Sequence, residues 1–434
     1  MSRLLNHWKL LQDLGGELYG APAPSPHAHP PIMARFKGVT VWIHPVADAD
    51  QKGLFLTDDG KATFDPENAI ANLQFERYVP HSTPDARKTE FLKKVYYLLK
   101  PLMPRSLQLT AQRANARSRL ASVEFPGWPQ DDTLDEFLRT ALRVLMERAD
   151  QQRVPFIGFW PMSYHWAACF THDVETSKGL AFSERMAALE ESHGIRSTWF
   201  VVPERYPVSQ ADLQPLQERG HEIGVHGLNH DGKLFSSRQE FERRALKINR
   251  YIEEWGAVGF RSPALYRNAE WICDLRIDYD SSFMDTAVLE PQLGGVSTVF
   301  PYHIGERTIE LPITMPMDHH LINLLRTDTT RGMLKKFEWV RARHGLANFL
   351  YHPDYNLAQE RLDDYGRVVA SVVRTERGWI ATAAAIADWW QRRSRSSLVG
   401  TTDDPRVEGP AALDAAIWYA RRDGDQVHIE PAPR

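Results

Sequence analysis

The sequence is poor in cysteine, with only Cys169 and Cys273 among its 434 residues. Two cysteines exclude a scaffold of several disulfides and any cysteine-rich zinc site. No run of 18 apolar residues occurs, so a membrane-spanning helix is not predicted. Residues 1–19 carry charges and a histidine within their apolar stretch, which is unlike a secretory signal. These absences favour a cytoplasmic, reduced protein.

Neither sign of charge dominates the chain, since 52 lysines and arginines stand against 56 acidic residues. A net charge of −4 gives no general electrostatic attraction to nucleic acid. The hydrophobic content of 43% is typical of a folded globular protein. The length allows two or three domains, or one large α/β barrel with additions.

The first third of the chain, residues 1–160, reads as an α+β extension of unknown role. An amphipathic helix is predicted over residues 1–19, and the prolines of residues 20–31 indicate a linker or exposed loop. Strands are predicted over residues 36–44 and 53–57. Within the linker, His27 and His29 are interpreted as solvated loop residues rather than metal ligands. Further helices are predicted over residues 89–121, which are basic, and 134–149.

From about residue 156, short apolar runs alternate with helical stretches. This alternation predicts βα units that form a parallel sheet or barrel. The predicted helices cover residues 183–193, 210–219, 237–255 and 383–393, and later strands cover 308–314, 347–352 and the segment at Trp379 and Ile380. The barrel is assigned to residues 165–395. Residues 396–434 read as a C-terminal tail with one hairpin.

Catalytic groups of α/β barrels lie at the carboxyl ends of the strands, so the polar residues that end each apolar run are the candidates. The run AACF ends in THDVE, which contains Asp173 and Glu175. The run HEIGVHG is followed by His226 and His230, four residues apart. On a helix this spacing places two imidazoles on one face, as a divalent ion requires.

Two further residues end apolar runs. Arg261 in GFRSP is placed to ion-pair with an active-site carboxylate and keep it ionised. His352 in ANFLYHP is a natural proton donor beside a metal site. Taken together with the acids and the paired histidines, these residues predict a mononuclear metal hydrolase.

The same segments, in the same order, resemble the polysaccharide deacetylase family, which is the NodB-homology domain or carbohydrate esterase family four. The matching blocks are THDVE (171–175), STWFVV (197–202), GHEIGVHGLNH (220–230), GFRSP (259–263), YDSS (279–282) and YHP (351–353). The resemblance implies an α/β fold, a distorted (β/α) barrel of the NodB type that here follows an N-terminal α+β extension. It also implies the removal of acetyl groups from sugars with one divalent metal ion, usually zinc.

The resemblance assigns a role to each candidate. Asp173 matches the general base, Arg261 the arginine that orients it, and His352 the general acid. His226 and His230 match the two histidine ligands of the metal. The acidic ligand falls on Val174 in strict register and on Glu175 in the spacing of many relatives, so whether Asp173 or Glu175 ligates the metal stays open. Ala264 matches the position whose backbone N–H stabilises the oxyanion, and Asp285 matches the fourth motif's acid in a loose register.

Three functions follow as hypotheses. The first is a metal-dependent hydrolase acting on carbon–nitrogen bonds other than peptide bonds, which deacetylates an N-acetylated sugar of a polysaccharide or cell-envelope precursor. The second is a C–N hydrolase acting on a small non-sugar amide, suggested by Ala264 where the family carries an aromatic residue. The third is a non-catalytic glycan-binding protein, against which the presence of both an acid and a base argues. A carbohydrate or sugar-containing substrate is the expected partner, with no nucleic acid.

Other motifs receive plainer interpretations. The segment LTDDGKATFD (56–65) imitates the first family motif but reads as a turn between strands. His319 and His320 are interpreted as loop residues, His221 as structural, and Cys169 and Cys273 as packing residues. His172 is interpreted either as a residue behind the base or as part of the barrel wall. Trp389 and Trp390 are expected to pack against the barrel.

Overall fold

A computed structural model describes residues 32–36, 39–43, 66–79 and 104–432. Several predictions fall outside these residues: the helix over 1–19, the linker with His27 and His29, the strand over 53–57 and the segment 56–65. Across the described helices, none combines the length and the apolarity that crossing a lipid bilayer requires.

Four α-helices of the barrel segment match the predictions, whereas those over Ala269–Ile272, Thr329–Arg341 and Gln359–Val373 were not predicted. The described α-helices are α1 (Pro66–Gln74), α2 (Arg105–Ser122), α3 (Thr133–Arg148), α4 (Ser177–Ser192), α5 (Gln210–Glu218), α6 (Arg238–Trp255), α7 (Ala269–Ile272), α8 (Thr329–Arg341), α9 (Gln359–Val373) and α10 (Ala383–Ser394). A π-helix covers His319–Leu325, and single 3-10 turns cover Pro161–Ser163, Pro263–Leu265 and Pro353–Tyr355.

The strands divide between the barrel and smaller sheets at either end of the chain. They are β1 (Ile32–Phe36), β2 (Val39–Ile43), β3 (Arg153–Ile157), β4 (Trp166–Val174), β5 (Thr198–Val201), β6 (Glu222–His226), β7 (Gly259–Arg261), β8 (Tyr279–Asp280), β9 (Tyr302–His303), β10 (Ile309–Glu310), β11 (Leu346–Tyr351), β12 (Gly378–Ile380), β13 (Ser397–Gly400), β14 (Pro405–Glu408), β15 (Ile417–Asp423) and β16 (Gln426–Pro431). The strand predicted over residues 36–44 is instead an antiparallel pair, β1 with β2.

The barrel sheet has the order β11-β4-β5-β6-β7-β8-β10-β9, with β12 also paired to β4. All pairings are parallel except that of β9 with β10. Every residue of β4 is buried, as expected for a central parallel strand covered on both faces. Helices follow β4, β5 and β6 in turn and cover the sheet. The predicted distorted (β/α) barrel is thus confirmed.

The segment that follows β10 is joined to β11 by side-chain hydrogen bonds rather than by a backbone ladder. The Thr314 hydroxyl donates to the Leu346 carbonyl at 2.5 Å and accepts from the Asn348 backbone N–H at 3.0 Å. The Asn348 amide nitrogen donates to the Leu311 carbonyl at 3.1 Å. These contacts pin the strand that leads to His352 against the rest of the barrel.

The core of the molecule is rich in tryptophan. Among the residues that the structure describes, seven tryptophans are less than 2% exposed: Trp160, Trp166, Trp199, Trp255, Trp389, Trp390 and Trp418. Trp389 and Trp390 pack into this core from α10, which agrees with the interpretation of these two residues. Burial of so many large side chains contributes strongly to stability, at about 25 cal/mol per Å² of apolar surface.

The segments that flank the barrel on either side in the sequence meet in one sheet. The hairpin of β15 and β16 within residues 396–434 pairs through β15 with β3, which precedes the barrel. Trp418 of β15 is fully buried and contacts His165 and His344 edge-on. The predicted hairpin of this segment is present, and the segment is packed against the barrel core.

Candidate metal and catalytic site

The six predicted site residues lie together at the carboxyl ends of the barrel strands. Their positions follow from the strand bounds: Asp173 near the end of β4, Glu175 just after it, His226 at the end of β6, His230 four residues later, Arg261 at the end of β7 and His352 directly after β11. Parallel strands deliver their carboxyl ends to one edge, so residues up to 179 positions apart in the chain converge. This edge is the candidate site.

Glu175, His226 and His230 form a group that can hold a metal ion, because one donor atom from each lies within 4.8 Å of the others. The His230 Nε2 atom is 3.1 Å from Glu175 Oε1. The Nε2 atoms of both histidines are buried without a hydrogen-bond partner. Two orphaned imidazole nitrogens facing a carboxylate are the donor set that a divalent ion such as zinc takes in catalytic sites.

The ring of His226 is held in the orientation and tautomer that a ligand needs. Its Nδ1 lies 3.0 Å from the Arg261 carbonyl oxygen, to which it donates, so its Nε2 lone pair is left free. Burial lowers the pKa of His226 to about 4, which keeps the imidazole neutral. Burial raises the pKa of Glu175, but the contact with His230 outweighs burial and holds that pKa well below its usual value.

The two histidines do not share a helix, the case in which their spacing would place them on one face. His226 ends strand β6, whereas His230 lies in the following turn with φ of 56°, four residues on. The left-handed backbone at His230 turns its ring back towards His226, and the ring centroids are 5.2 Å apart. A strand end and a turn therefore bring the imidazoles together.

Asp173 pairs with Arg261, whereas Glu175 lies against His230. Its Oδ1 accepts a hydrogen bond from Arg261 Nη1 at 3.0 Å, and its Oδ2 is 3.5 Å from His226 Nε2. Burial raises the pKa of Asp173, but the neighbouring His226 and Arg261 outweigh burial and lower it below its ordinary value. The carboxylate stays ionised next to the triad of possible metal ligands, Glu175, His226 and His230, as a proton acceptor must be.

Arg261 is itself fully buried, and each of its three guanidinium nitrogens donates a hydrogen bond. Besides Asp173, its guanidinium donates to the Thr171 hydroxyl, the Ser281 carbonyl and the Ser281 hydroxyl, each at 2.8 Å. The side chain also lies over the Phe200 ring, 4.3 Å from its centroid. A planar donor fork held in this way fixes Asp173 in one orientation.

His352 is paired with an acid that the sequence reading missed. Its Nδ1 is 2.7 Å from Asp318 Oδ1, and its backbone N–H donates to Asp318 Oδ2 at 2.8 Å. Although burial alone would lower it, the Asp318 carboxylate raises the pKa of His352 to about 10. Nε2 of His352 points to the triad, 3.9 Å from Glu175 Oε1. The imidazolium is therefore available as a proton donor beside the metal ligands.

The signal for Asp318 was present in the sequence, because MPMDHH directly follows the predicted strand TIELPIT. Asp285, the acid in loose register with the family's fourth motif, lies elsewhere: its Oδ2 accepts from Lys336 Nζ at 2.5 Å. Both partners of that pair are buried. Asp285 is thus in a structural ion pair, and Asp318 is the acid that contacts His352.

The remaining histidines and cysteines have contacts of their own. His172 faces the helix layer, with Nε2 2.7 Å from Glu190 Oε1 and its ring stacked on Trp199, so it belongs to the barrel wall. His221 contacts Ser197 and Glu191, which supports a structural role. Cys169 is buried in β4, and burial raises the pKa of both cysteine thiols, which are free.

The loop assignment of His319 and His320 was wrong. Both lie in the π-helix that follows Asp318, and His320 is buried with Nε2 2.5 Å from Glu290 Oε1. The ring of His319 packs on Tyr355, which in turn packs on His352. The segment thus forms one wall beside the general-acid candidate.

The turn after Arg261 carries the position assigned to the oxyanion. Ala264 has φ of 52° within the turn Pro263–Leu265. A left-handed conformation at a residue with a side chain costs about 1–3 kcal/mol and is common at functional sites. The role of the Ala264 backbone N–H stays a prediction.

With this geometry in place, comparison with known families is informative. Residues 170–272 match the family model described as polysaccharide deacetylase. The chain carries a polysaccharide deacetylase domain. The predicted family and its class of deacetylating hydrolases are thereby confirmed for the segment that holds Asp173, Glu175, the paired histidines and Arg261.

Whole-chain comparisons add less. No curated protein matches the chain significantly. Solved structures that resemble it include a Mycobacterium smegmatis protein assigned as a polysaccharide deacetylase (19% identity, 54% of this chain and 92% of that chain, TM-score 0.42). Others are the PuuE allantoinase (14%, 54% and 93%, TM-score 0.42) and the catalytic domain of a peptidoglycan N-acetylglucosamine deacetylase from Eubacterium rectale (12%, 51% and 89%, TM-score 0.33).

Proposed function

We propose that the protein is a metal-dependent hydrolase that removes an acetyl group from an N-acetylated sugar of a polysaccharide or cell-envelope precursor. One observation carries the proposal. A two-histidine, one-carboxylate donor set lies beside both the Asp173 carboxylate and the imidazole of His352, which is paired with Asp318. Metal-assisted amide hydrolysis uses these three parts, because the metal polarises the acyl group, water must lose a proton and the amine must gain one.

Glu175, His226 and His230 would hold the metal, and we propose zinc as the ion. A bound divalent cation supplies Lewis-acid polarisation of the acyl oxygen and lowers the pKa of water. Asp173 accepts the proton of the attacking water, while Arg261 keeps its carboxylate ionised and oriented. The Ala264 backbone N–H is the candidate donor to the developing oxyanion.

The second proton transfer belongs to His352. In its protonated form the imidazole donates from Nε2 to the departing nitrogen, and Asp318 stabilises the positive charge at Nδ1 until then. The leaving group departs as a neutral amine because it receives this proton. Asp173 thus accepts one proton and His352 donates another in the same reaction. Neither proton transfer is needed for sugar binding alone.

Acetate release from chitooligosaccharides, with and without a chelator, tests the proposal. We expect zinc-dependent release by the wild-type protein and a loss of at least about a hundredfold in His226→Ala, since Lewis-acid polarisation is worth several kcal/mol. His428→Ala, on the exposed face of β16, is the matched control and should match wild type. A protein that holds no divalent metal with His226 and His230 intact would contradict the proposal.

A comparison of substrates, together with a sugar-binding measurement, separates the other hypotheses. Turnover of small cyclic amides without turnover of chitooligosaccharides would replace the sugar substrate by a non-sugar amide. Sugar binding that survives Asp173→Asn, together with no wild-type turnover, would indicate a glycan-binding protein. A cytoplasmic location, and with it a precursor rather than an external polymer as substrate, is part of the proposal.

A further inference from the structure

The turn that carries His230 is held from three directions. On one side, the turn packs directly on Pro263 in the segment after Arg261. The approach is so close that a side chain at Gly227, where φ is 61°, would place its Cβ only 2.4 Å from Pro263 Cδ. On a second side, the Leu228 carbonyl accepts from the Glu204 backbone N–H at 2.8 Å. The third side is helix α6, which contributes Arg244.

Arg244 forms hydrogen bonds with the residues on both sides of His230. Its Nη1 donates to Asn229 Oδ1 at 2.9 Å and to Asp231 Oδ1 at 2.7 Å, and its Nη2 donates to Asp231 Oδ2 at 2.9 Å. The remaining arm, Nε, donates to Glu240 Oε1 at 2.5 Å in the first turn of the same helix. The Arg244 side chain is only 6% exposed.

These hydrogen bonds offset the unfavourable backbone conformation of His230. A residue other than glycine in the left-handed region costs about 1–3 kcal/mol and persists only where its surroundings hold it. His230 has φ of 56°, and its two neighbours, Asn229 and Asp231, are both hydrogen-bonded to the planar guanidinium fork of Arg244. Without that fork the turn can relax, and the imidazole would leave its place beside Glu175.

We propose that Arg244 is a positioning residue for the metal site, acting on His230 through Asn229 and Asp231. The inference rests on the proposed function, because it requires that His230 be a ligand. Contacts behind metal ligands orient the ligands, and their loss typically costs about 10- to 100-fold in metal affinity. The same loss of affinity is expected here.

Electrostatics and positioning predict opposite results when Arg244 is replaced. Removal of a positive charge near a divalent cation favours binding of that cation on charge alone. Removal of the fork disfavours binding, because His230 is then free to move. A weakened affinity in Arg244→Gln therefore cannot arise from the change in charge.

Arg243 provides a matched control on the same helix. It also pairs with Glu240, through Nε at 3.0 Å and Nη2 at 2.7 Å, but its side chain is 60% exposed and its hydrogen bonds go to Glu240 rather than to the turn. Arg243→Gln removes the same charge and the same kind of ion pair one residue away. Its zinc affinity should stay within about twofold of wild type.

The experiment is a titration of chelator-stripped full-length protein with Zn²⁺ against a chromophoric competitor, with far-UV circular dichroism as the check on folding. We expect the Kd for zinc to rise about 10- to 100-fold in Arg244→Gln. Arg244→Lys keeps the charge but lacks the planar fork, so its Kd should rise as well. The lysine variant decides the question if the glutamine variant does not fold.

The outcomes separate this inference from the function on which it rests. Folded Arg244 variants that bind zinc as tightly as wild type overturn the positioning role and leave the proposed function standing. A similar loss of affinity in Arg243→Gln also overturns it. Wild-type protein that binds no zinc overturns both the proposed function and the role of Arg244.

Discussion

At the scale of single residues, the sequence predicted one ion pair of the site, Arg261 with Asp173, and missed the other, Asp318 with His352. Arg261 and Asp173 could be paired from their places at strand ends. Asp318 also follows a predicted strand, but it was not paired with His352, because the segment that the structure shows as a π-helix was interpreted as a loop. Their contact depends on how β11 and the segment after β10 lie side by side, which local patterns do not report.

Asp318→Asn tests the assignment of the general acid. Asparagine cannot carry the negative charge that stabilises the His352 imidazolium, and general-acid catalysis typically contributes about 10²- to 10⁴-fold. We expect kcat for acetate release to fall about a hundredfold with KM little changed. Asp285→Asn, the contrasting variant, should lower thermal stability but not kcat, and equal losses of kcat in both variants would refute the distinction.

At the scale of helices and strands, local patterns predicted some long helices and missed others, namely Thr329–Arg341 and Gln359–Val373. The helices predicted over residues 210–219 and 237–255 agree with Gln210–Glu218 and Arg238–Trp255. The strand predicted over residues 308–314 shrinks to Ile309–Glu310, with one isolated bridge at Ile313. Short strands at a distorted edge of the barrel owe their conformation to tertiary contacts, which periodicity does not record.

The start of helix α3 gives a pH-dependent contribution to stability. Asp135 accepts from the Thr298 hydroxyl at 2.6 Å and from the Val299 N–H at 3.1 Å. Burial is the largest cause that raises the pKa of Asp135 from 3.8 to about 7 in the folded protein. The folded state therefore binds this proton more tightly than the unfolded state, so its contribution is largest below about pH 4, declines up to about pH 7 and then stays constant.

Asp135→Asn should remove this dependence, because asparagine does not titrate. Thermal unfolding at several pH values between 4 and 8 measures it. Relative to wild type, the variant should gain stability as pH rises from about 4 to 7, by at most about 4 kcal/mol at 1.36 kcal/mol per pH unit. A constant difference between variant and wild type over this range would show that Asp135 is not the titrating group.

At the scale of the whole molecule, the barrel, its preceding extension and its C-terminal strands share buried contacts. Glu76 lies in the extension and Arg267 in the barrel, and Arg267 Nε and Nη2 donate to its two carboxylate oxygens at 2.7 and 2.5 Å. The same arginine donates to the Leu265 carbonyl at 2.8 Å, next to Ala264. The extension therefore reaches the turn at the edge of the site. Sequence patterns could not show this, because the pair is 191 residues apart.

Glu76→Gln tests whether this contact stabilises the assembly. It leaves the buried Arg267 guanidinium without its counter-charge, and breaking a buried ion pair costs about 3–5 kcal/mol. Unfolding in urea should show this loss. The double variant Glu76→Gln with Arg267→Met should recover part of it, because no unpaired charge remains. A single variant as stable as wild type would contradict the account.

The central claim is that Glu175, His226 and His230 bind a catalytic divalent ion. The most direct measurement is the metal content of the purified protein and of His226→Ala after dialysis against limiting zinc. The account predicts one equivalent of zinc per wild-type chain and a large loss in the variant, with His428→Ala unchanged. Wild-type protein without bound metal, or a His226→Ala variant that retains one full equivalent, would contradict it.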